Sequence, residues 1–251
     1  MKTNNKLVAI ILAAGLGKRM KSDKAKVLHE INGKPMILYI LETANKIAGN
    51  NIVVVVGNQA EKVRKVVSND YSVLFALQKE QLGTGDAVKC ALPLLPEYSE
   101  QVLILCGDVS LLSFDTVKKL YEDHIKSDRD VSVLAVKIGN PKGYGRMIMD
   151  ERNCVSGIIE EADANDEQKS INIINSGVYC IKRDFLEYSI NKIEANNAQG
   201  EFYLTDVVKI GYSENKKVGA MIGQDSEEIL GVNSMEELMV VESIMQKRMI
   251  L

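Results

Sequence analysis

The chain has 251 residues, 46% of them hydrophobic and 26% charged, and a formal net charge of −3. This length and apolar content support one large core without disulfides or metal, whereas the near-neutral balance excludes the broad basic surface that nucleic-acid binding requires. No stretch is apolar for long enough to span a bilayer.

The amino-terminal Met1-Lys2-Thr3-Asn4-Asn5 leads straight into the apolar residues 7–12, too short a run for a signal segment and followed by glycines instead of a cleavage site; a cytoplasmic location is expected. Residues 7–12, 52–56, 73–77, 102–105 and 131–136 are short runs rich in Val, Ile and Leu that barely alternate, as strands buried on both faces do. Between the first two, Met36, Ile37, Ile40, Leu41, Ala44 and Ile47 recur at helical spacing and predict a helix over 36–48. Strands alternating with helices imply an α/β fold with a Rossmann-like, doubly wound, mostly parallel sheet. After Gly143-Tyr144-Gly145 the pattern changes: residues 147–149 and 155–159 flank Asp150-Glu151-Arg152-Asn153 as a hairpin would, and 171–181 is again extended. These segments read as an α+β lobe laid against the sheet. Helices follow over 205–212 and 234–247, the latter opening on Ser234-Met235-Glu236-Glu237, a capping-box pattern. Cys90, Cys106, Cys154 and Cys180 are widely spaced with no close Cys or His partner, so reduced thiols are expected and no zinc site.

The first strand runs into Ala13-Ala14-Gly15-Leu16-Gly17-Lys18-Arg19-Met20. In an open α/β sheet the binding crevice lies beyond the carboxyl ends of the strands, where this loop stands. Gly15 and Gly17 let the backbone approach a ligand and turn N–H groups toward phosphate oxygens, Arg19 can bind phosphate bidentately, and Lys26 adds a second positive charge. An ordinary glycine turn with solvated basic residues has the same composition. A Walker A loop would need Ser or Thr where Arg19 stands, and a dinucleotide fingerprint a third glycine where Met20 stands. Gly107-Asp108 follows the strand 102–105 and sets a carboxylate at the same sheet edge, where its hard oxygen suits Mg2+.

The loop, with Lys26-Val27-Leu28-His29 after it, resembles the sugar-1-phosphate nucleotidyltransferases, whose pattern is Leu-Ala-Ala-Gly-x-Gly-x-Arg-Met followed by a lysine. Four further segments resemble the uridylyltransferase domain of the bifunctional N-acetylglucosamine-1-phosphate uridylyltransferase/acetyltransferase family. They are Gln78-Lys79-Glu80-Gln81-Leu82-Gly83-Thr84-Gly85; Gly107-Asp108 with Gly231-Val232-Asn233; Gly143-Tyr144-Gly145-Arg146 with Glu160 and Asn175; and residues 196–206. The resemblance implies the nucleotide-diphospho-sugar transferase fold and transfer of a uridylyl group from UTP to N-acetylglucosamine 1-phosphate. It implies Arg19 and Lys26 as catalytic residues, and Leu12, Ala13, Ala14, Gly15, Gln78, Gly83 and Thr84 around the nucleotide. It further implies Gly145, Glu160, Asn175 and Asn233 at the sugar, and Asp108 with Asn233 on Mg2+. Thr84 and Asn233 read equally as helix caps, and 196–206 as a supporting turn.

A nucleotidyltransferase for another base or sugar, and a regulatory protein that binds a UDP-sugar without turnover, stay open. Lys18, Ala25, Asp86 and Ser110 stand where the family commonly has threonine, proline, histidine and proline; Asp23-Lys24-Ala25 is faintly similar to molybdenum cofactor guanylyltransferases. The expected organisation is a nucleotide lobe over about 1–140, a sugar lobe over 141–233 and a helix over 234–251, without the acetyltransferase repeats. Trimerisation, which those repeats drive in the family, is not implied.

Overall fold

The computed structural model describes residues 6–152 and 154–250. The expected disposition of Met1–Asn5, of Asn153 in the hairpin turn and of Leu251 lies outside the described residues. The chain forms β1 (Leu7–Ala13), the short hairpin β2 (Glu30–Ile31) and β3 (Lys34–Pro35), α1 (Met36–Ala48), β4 (Ile52–Val56), α2 (Ala60–Ser68), β5 (Leu74–Leu77) and α3 (Thr84–Ala91). It continues with β6 (Gln101–Cys106), α4 (Phe114–Lys126), β7 (Val131–Lys137), β8 (Arg146–Met149), β9 (Val155–Ile159), α5 (Asp166–Lys169) and β10 (Ile173–Lys182). It ends with α6 (Arg183–Ile190), α7 (Asp206–Ser213), β11 (Val218–Gly223) and α8 (Met235–Ile250). None of these helices is long and apolar enough to cross a membrane.

The main sheet runs β11-β7-β10-β6-β1-β4-β5, with β8 attached to β10 and β9 to β8. Because β-strand side chains alternate, Leu7, Ala9, Ile11 and Ala13 pack under α1, α2 and α4, whereas Val8 and Ile10 pack under α3, α6 and α7. Burial on both faces explains why the run showed no alternation, and each such aliphatic side chain contributes roughly 1.5–3 kcal/mol relative to exposure. The edge strand β5 differs: Leu74 is 50% and Leu77 44% exposed, so this run is not buried on both faces.

The segment expected in a lobe against the sheet is β10, which enters the sheet itself, antiparallel to both β6 and β7. A register shift between Asn175 and Tyr179 lets its first half reach β8 while its second half completes the sheet. The parallel strand β11 at the other edge was not anticipated.

His124 on α4 is fully buried, with Nδ1 2.9 Å from Ser132 Oγ and Nε2 3.0 Å from Gln101 Oε1, which satisfies a neutral ring. Burial, helped by Lys182 and Arg129, lowers its pKa from 6.5 to about 4. Between these values the unfolded chain binds more protons than the folded one, so stability rises with pH across the window and is lost as pH falls from 6.5 toward 4. Urea unfolding at pH 7.5 and pH 5 should therefore show the parent losing about 2 kcal/mol more than His124→Gln on acidification. Equal losses would assign the slope to other groups.

Candidate active site

Strand β1 pairs with β6 on one side and β4 on the other, so the strand order reverses at β1 and a crevice opens beyond its carboxyl end. Leu12 lies opposite Cys106 and the Gly107 N–H donates to Leu12 O at 2.9 Å, which sets the loop after β1 beside the loop carrying Asp108. The crevice is a cavity of about 510 Å³ lined by Leu12 to Arg19, Lys26, Gln78, Gly83, Thr84, Asp108 and Asn233, among others. All residues expected at the nucleotide, the metal and the reaction thus meet in one place. A larger cavity of about 670 Å³ lies at the opposite ends of the parallel strands, around Gln101, Asp130 and Lys182. Lys182 there is paired with Asp128 and Asp130, and Glu100, Asp184 and Glu214 line the same cavity, so acidic side chains outnumber its basic ones, unlike the crevice.

The loop after β1 is shaped by Gly17, not by Gly15. Gly17 adopts φ +62, and a Cβ there would lie 2.8 Å from Lys26 Cβ, so only glycine lets the loop rest on the stem of Lys26. Met20, standing where a dinucleotide fingerprint has its third glycine, is buried with Ile31, Met36, Val232, Leu238 and Val241 and pins the loop to α8. Among the described residues the N–H groups of Gly15, Leu16 and Gly17 have no protein acceptor, and the exposed Lys18 and Arg19 make no ion pair. Unsatisfied N–H groups beside free cations make an anion cradle. Ala25 has φ −54 and ψ 135, proline's own region, so the backbone before Lys26 keeps the expected shape without the ring. Ser110, also in a proline position, leaves a buried hydroxyl without a partner among the described residues.

Lys26 Nζ donates to Asp108 Oδ2 at 2.5 Å and to Asn233 Oδ1 at 3.0 Å. The ammonium thus sits on the two oxygens expected to hold a metal. Asn233 is positioned from α8: Glu237 Oε2 accepts the N–H groups of Asn233 and Ser234, Ser234 Oγ accepts the Glu237 N–H, and the Val232 N–H donates to Asp108 O. The capping box and the expected site residue are one device.

Gln78 and Thr84 face the cavity from the segment that runs from the end of β5 into the first turn of α3. That segment is stapled to residues 202–204: Phe202 N–H to Leu82 O and Gly85 N–H to Phe202 O, both 2.7 Å, and Leu204 N–H to Thr84 Oγ1 at 3.0 Å. A Cβ on Gly83, at φ +115, would lie 2.5 Å from Phe202 O, so this approach needs glycine.

Gly145, Glu160 and Asn175 meet one another but do not line this cavity. The Asn175 N–H donates to Gly145 O, and Glu160 Oε2 stands 3.3 Å from the place of a Gly145 Cβ. Asn175 is buried, its amide donating to Tyr179 Oη and accepting the Gly177 N–H, which ties it to the β10 irregularity. Burial raises the Glu160 carboxyl above its ordinary range, Asp163 and Asp206 adding to the shift against the Thr205 hydroxyl and Arg146. Cys106 Sγ, in contact with Gly177 O, connects this cluster to the cavity; burial and Asp108 push its thiol to about 12. Cys106, Gln81 and Glu201 line the cavity without having been named as site residues; Gln81 and Glu201 lie within the segments 78–85 and 196–206 singled out above, but only the fold shows which of their side chains reach it. Neither histidine lines it. No three His, Cys, Asp or Glu side chains among the described residues converge as a metal cluster.

The family model described as Nucleotidyl transferase matches residues 8–233. The chain is similar to proteins called Bifunctional protein GlmU: 42% identical to that of Clostridioides difficile over 96% of this chain, 46% to that of Caldanaerobacter subterraneus over 96%, and 38% to that of Desulfotalea psychrophila over 99%. It spans 52% of the first two and 73% of the third, so about half the length of most curated relatives it matches. In fold it is similar to a Bacillus anthracis protein assigned as a glucose-1-phosphate thymidylyltransferase, with TM-score 0.72, 16% identity, and 95% of this chain and 94% of that one covered.

Proposed function

Because the chain belongs to the nucleotidyl transferase family, we propose that it transfers the uridylyl group of UTP to N-acetylglucosamine 1-phosphate, giving UDP-N-acetylglucosamine and pyrophosphate. The observation that carries this reading is the meeting of Arg19, Lys26, Gln78, Thr84, Asp108 and Asn233 in one cavity at the strand-order reversal.

The free N–H groups of Gly15 to Gly17 hold the triphosphate, with Leu12, Ala13 and Ala14 closing its inner side. Gln78, Gly83 and Thr84 take the base. Gly145, Glu160 and Asn175, with Asn233, take the sugar, about residues 141–233 serving the acceptor and 1–140 the nucleotide. An oxygen of the sugar phosphate forms a bond to the α-phosphorus as the bond to the β-phosphate oxygen breaks and pyrophosphate leaves in line. That oxygen is already anionic at neutral pH, so no histidine base is needed; positioning and charge dominate. Arg19 and Lys26 stabilise the crowded phosphorus and the departing charge.

Asp108 and Asn233 suit a divalent metal: a cation, the Lys26 ammonium, already rests on both oxygens, and Mg2+ is commonly held by one or two protein oxygens plus substrate phosphates. Mg2+ bound there supplies charge neutralisation on the triphosphate. Cytoplasmic operation belongs to the same reading, supported by four cysteines without disulfides.

Pyrophosphate release from a panel of nucleoside triphosphates and sugar 1-phosphates with Mg2+ tests it. Release should be greatest with UTP and N-acetylglucosamine 1-phosphate. No release from UTP with any sugar phosphate, or tight UDP-sugar binding without turnover, would sink the proposal.

A further inference from the structure

Gln78 is 4% exposed, and both hydrogens of its amide are engaged: Nε2 donates to Gly83 O at 3.0 Å and to Asp86 Oδ2 at 2.8 Å. A carbonyl and a carboxylate only accept, so turning the amide end for end would set oxygen against oxygen at both contacts. The side chain is therefore locked with Oε1 as its remaining functional atom, and that atom makes no hydrogen bond among the described residues while Gln78 lines the cavity. Thr84 behaves similarly: its Oγ1 already accepts the Leu204 N–H, leaving its proton to donate.

We propose that Asp86 selects the base by locking Gln78 with its acceptor outward, so that the cavity takes a base offering a ring N–H at that edge, as uracil does at N3. A cytosine held in the same pose by its triphosphate places the N3 lone pair against Gln78 Oε1, and the lock prevents the amide from turning to meet it. This inference rests on the uridylyltransferase reading above. Asp86 acts through Gln78 and is a positioning residue. The Gly83 carbonyl supplies half the lock from the backbone; Asp86 supplies the charge-assisted half, which is stronger and polarises the amide. Asp86 also stands in the first turn of α3, where a carboxylate favours the helix whatever the ligand.

Base preference separates these roles, because a contribution to the helix alone moves the melting temperature and leaves the ratio of nucleotide affinities unchanged. Calorimetric titration with UTP and with CTP, Mg2+ present, should show the parent preferring UTP by about 100-fold or more. Asp86→Ala and the near-isosteric Asp86→Leu should each lower that preference by about 10-fold or more, whereas Asp86→Asn, which keeps an acceptor, stays within about 3-fold of the parent. Two apolar variants keep the test alive if one does not fold. An undiminished preference in whichever folds overturns the inference and leaves the uridylyltransferase reading intact. A parent that binds both nucleotides equally, or neither, overturns that reading itself, and the inference with it.

Discussion

Asp108→Ala lowers kcat/KM for pyrophosphate release by about 10²–10³-fold, the scale on which removing one preorganised charge contact slows group transfer. Its carboxylate accepts from the Lys26 ammonium in the cavity shared with Asn233 and the loop after β1, and the backbone on both sides of it is held. The N–H of Gly107 is bound to Leu12 O and the carbonyl of Asp108 accepts from Val232, so truncating the side chain leaves the loop in place. The loss should therefore be one of charge and not of fold: a shifted Mg2+ dependence with a nearly unchanged melting temperature. Equal rates in parent and variant would remove Asp108 from the metal assignment.

Lys26→Met has two effects of opposite sign. Turnover falls by about 10²–10³-fold, because a cation facing the departing phosphates is lost. Divalent metal binding by the free protein becomes tighter by about 10-fold or more, because an ammonium on Asp108 and Asn233 excludes a second cation from them; even at an effective dielectric of about 20, like charges 4 Å apart repel by roughly 4 kcal/mol. Free Mn2+ measured by electron paramagnetic resonance, without nucleotide, checks the second effect. Identical affinity in parent and variant would show that Lys26 does not occupy the metal position in solution.

Much of this was legible in residue order. Met36, Ile37, Ile40, Leu41, Ala44 and Ile47 mark α1 to its observed bounds because a helix repeats every 3.6 residues and that period is written in neighbouring residues. The buried strands declared themselves by apolar runs, and Ser234 with Glu237 marked the start of α8. Other features had no local signal. Strand β11 is interrupted by glycine and half-exposed, so neither period stands out. Strand β10 reads as extended, but nothing in its composition says that it enters the main sheet between β6 and β7.

The same division holds at the site. A β-strand running into Gly15-Leu16-Gly17 with Arg19 after it offers backbone freedom and positive charge, which belong to the residues themselves, but read alone it leaves an ordinary glycine turn open. That Gly17 carries the left-handed turn, that Lys26 rests on Asp108 and Asn233, 82 and 207 residues away, and that Asp86 fixes the sense of the Gln78 amide were decided only by the folded chain. A hydrogen bond or ion pair depends on where its two partners meet in space, and for pairs that distant in sequence the sheet topology sets the meeting.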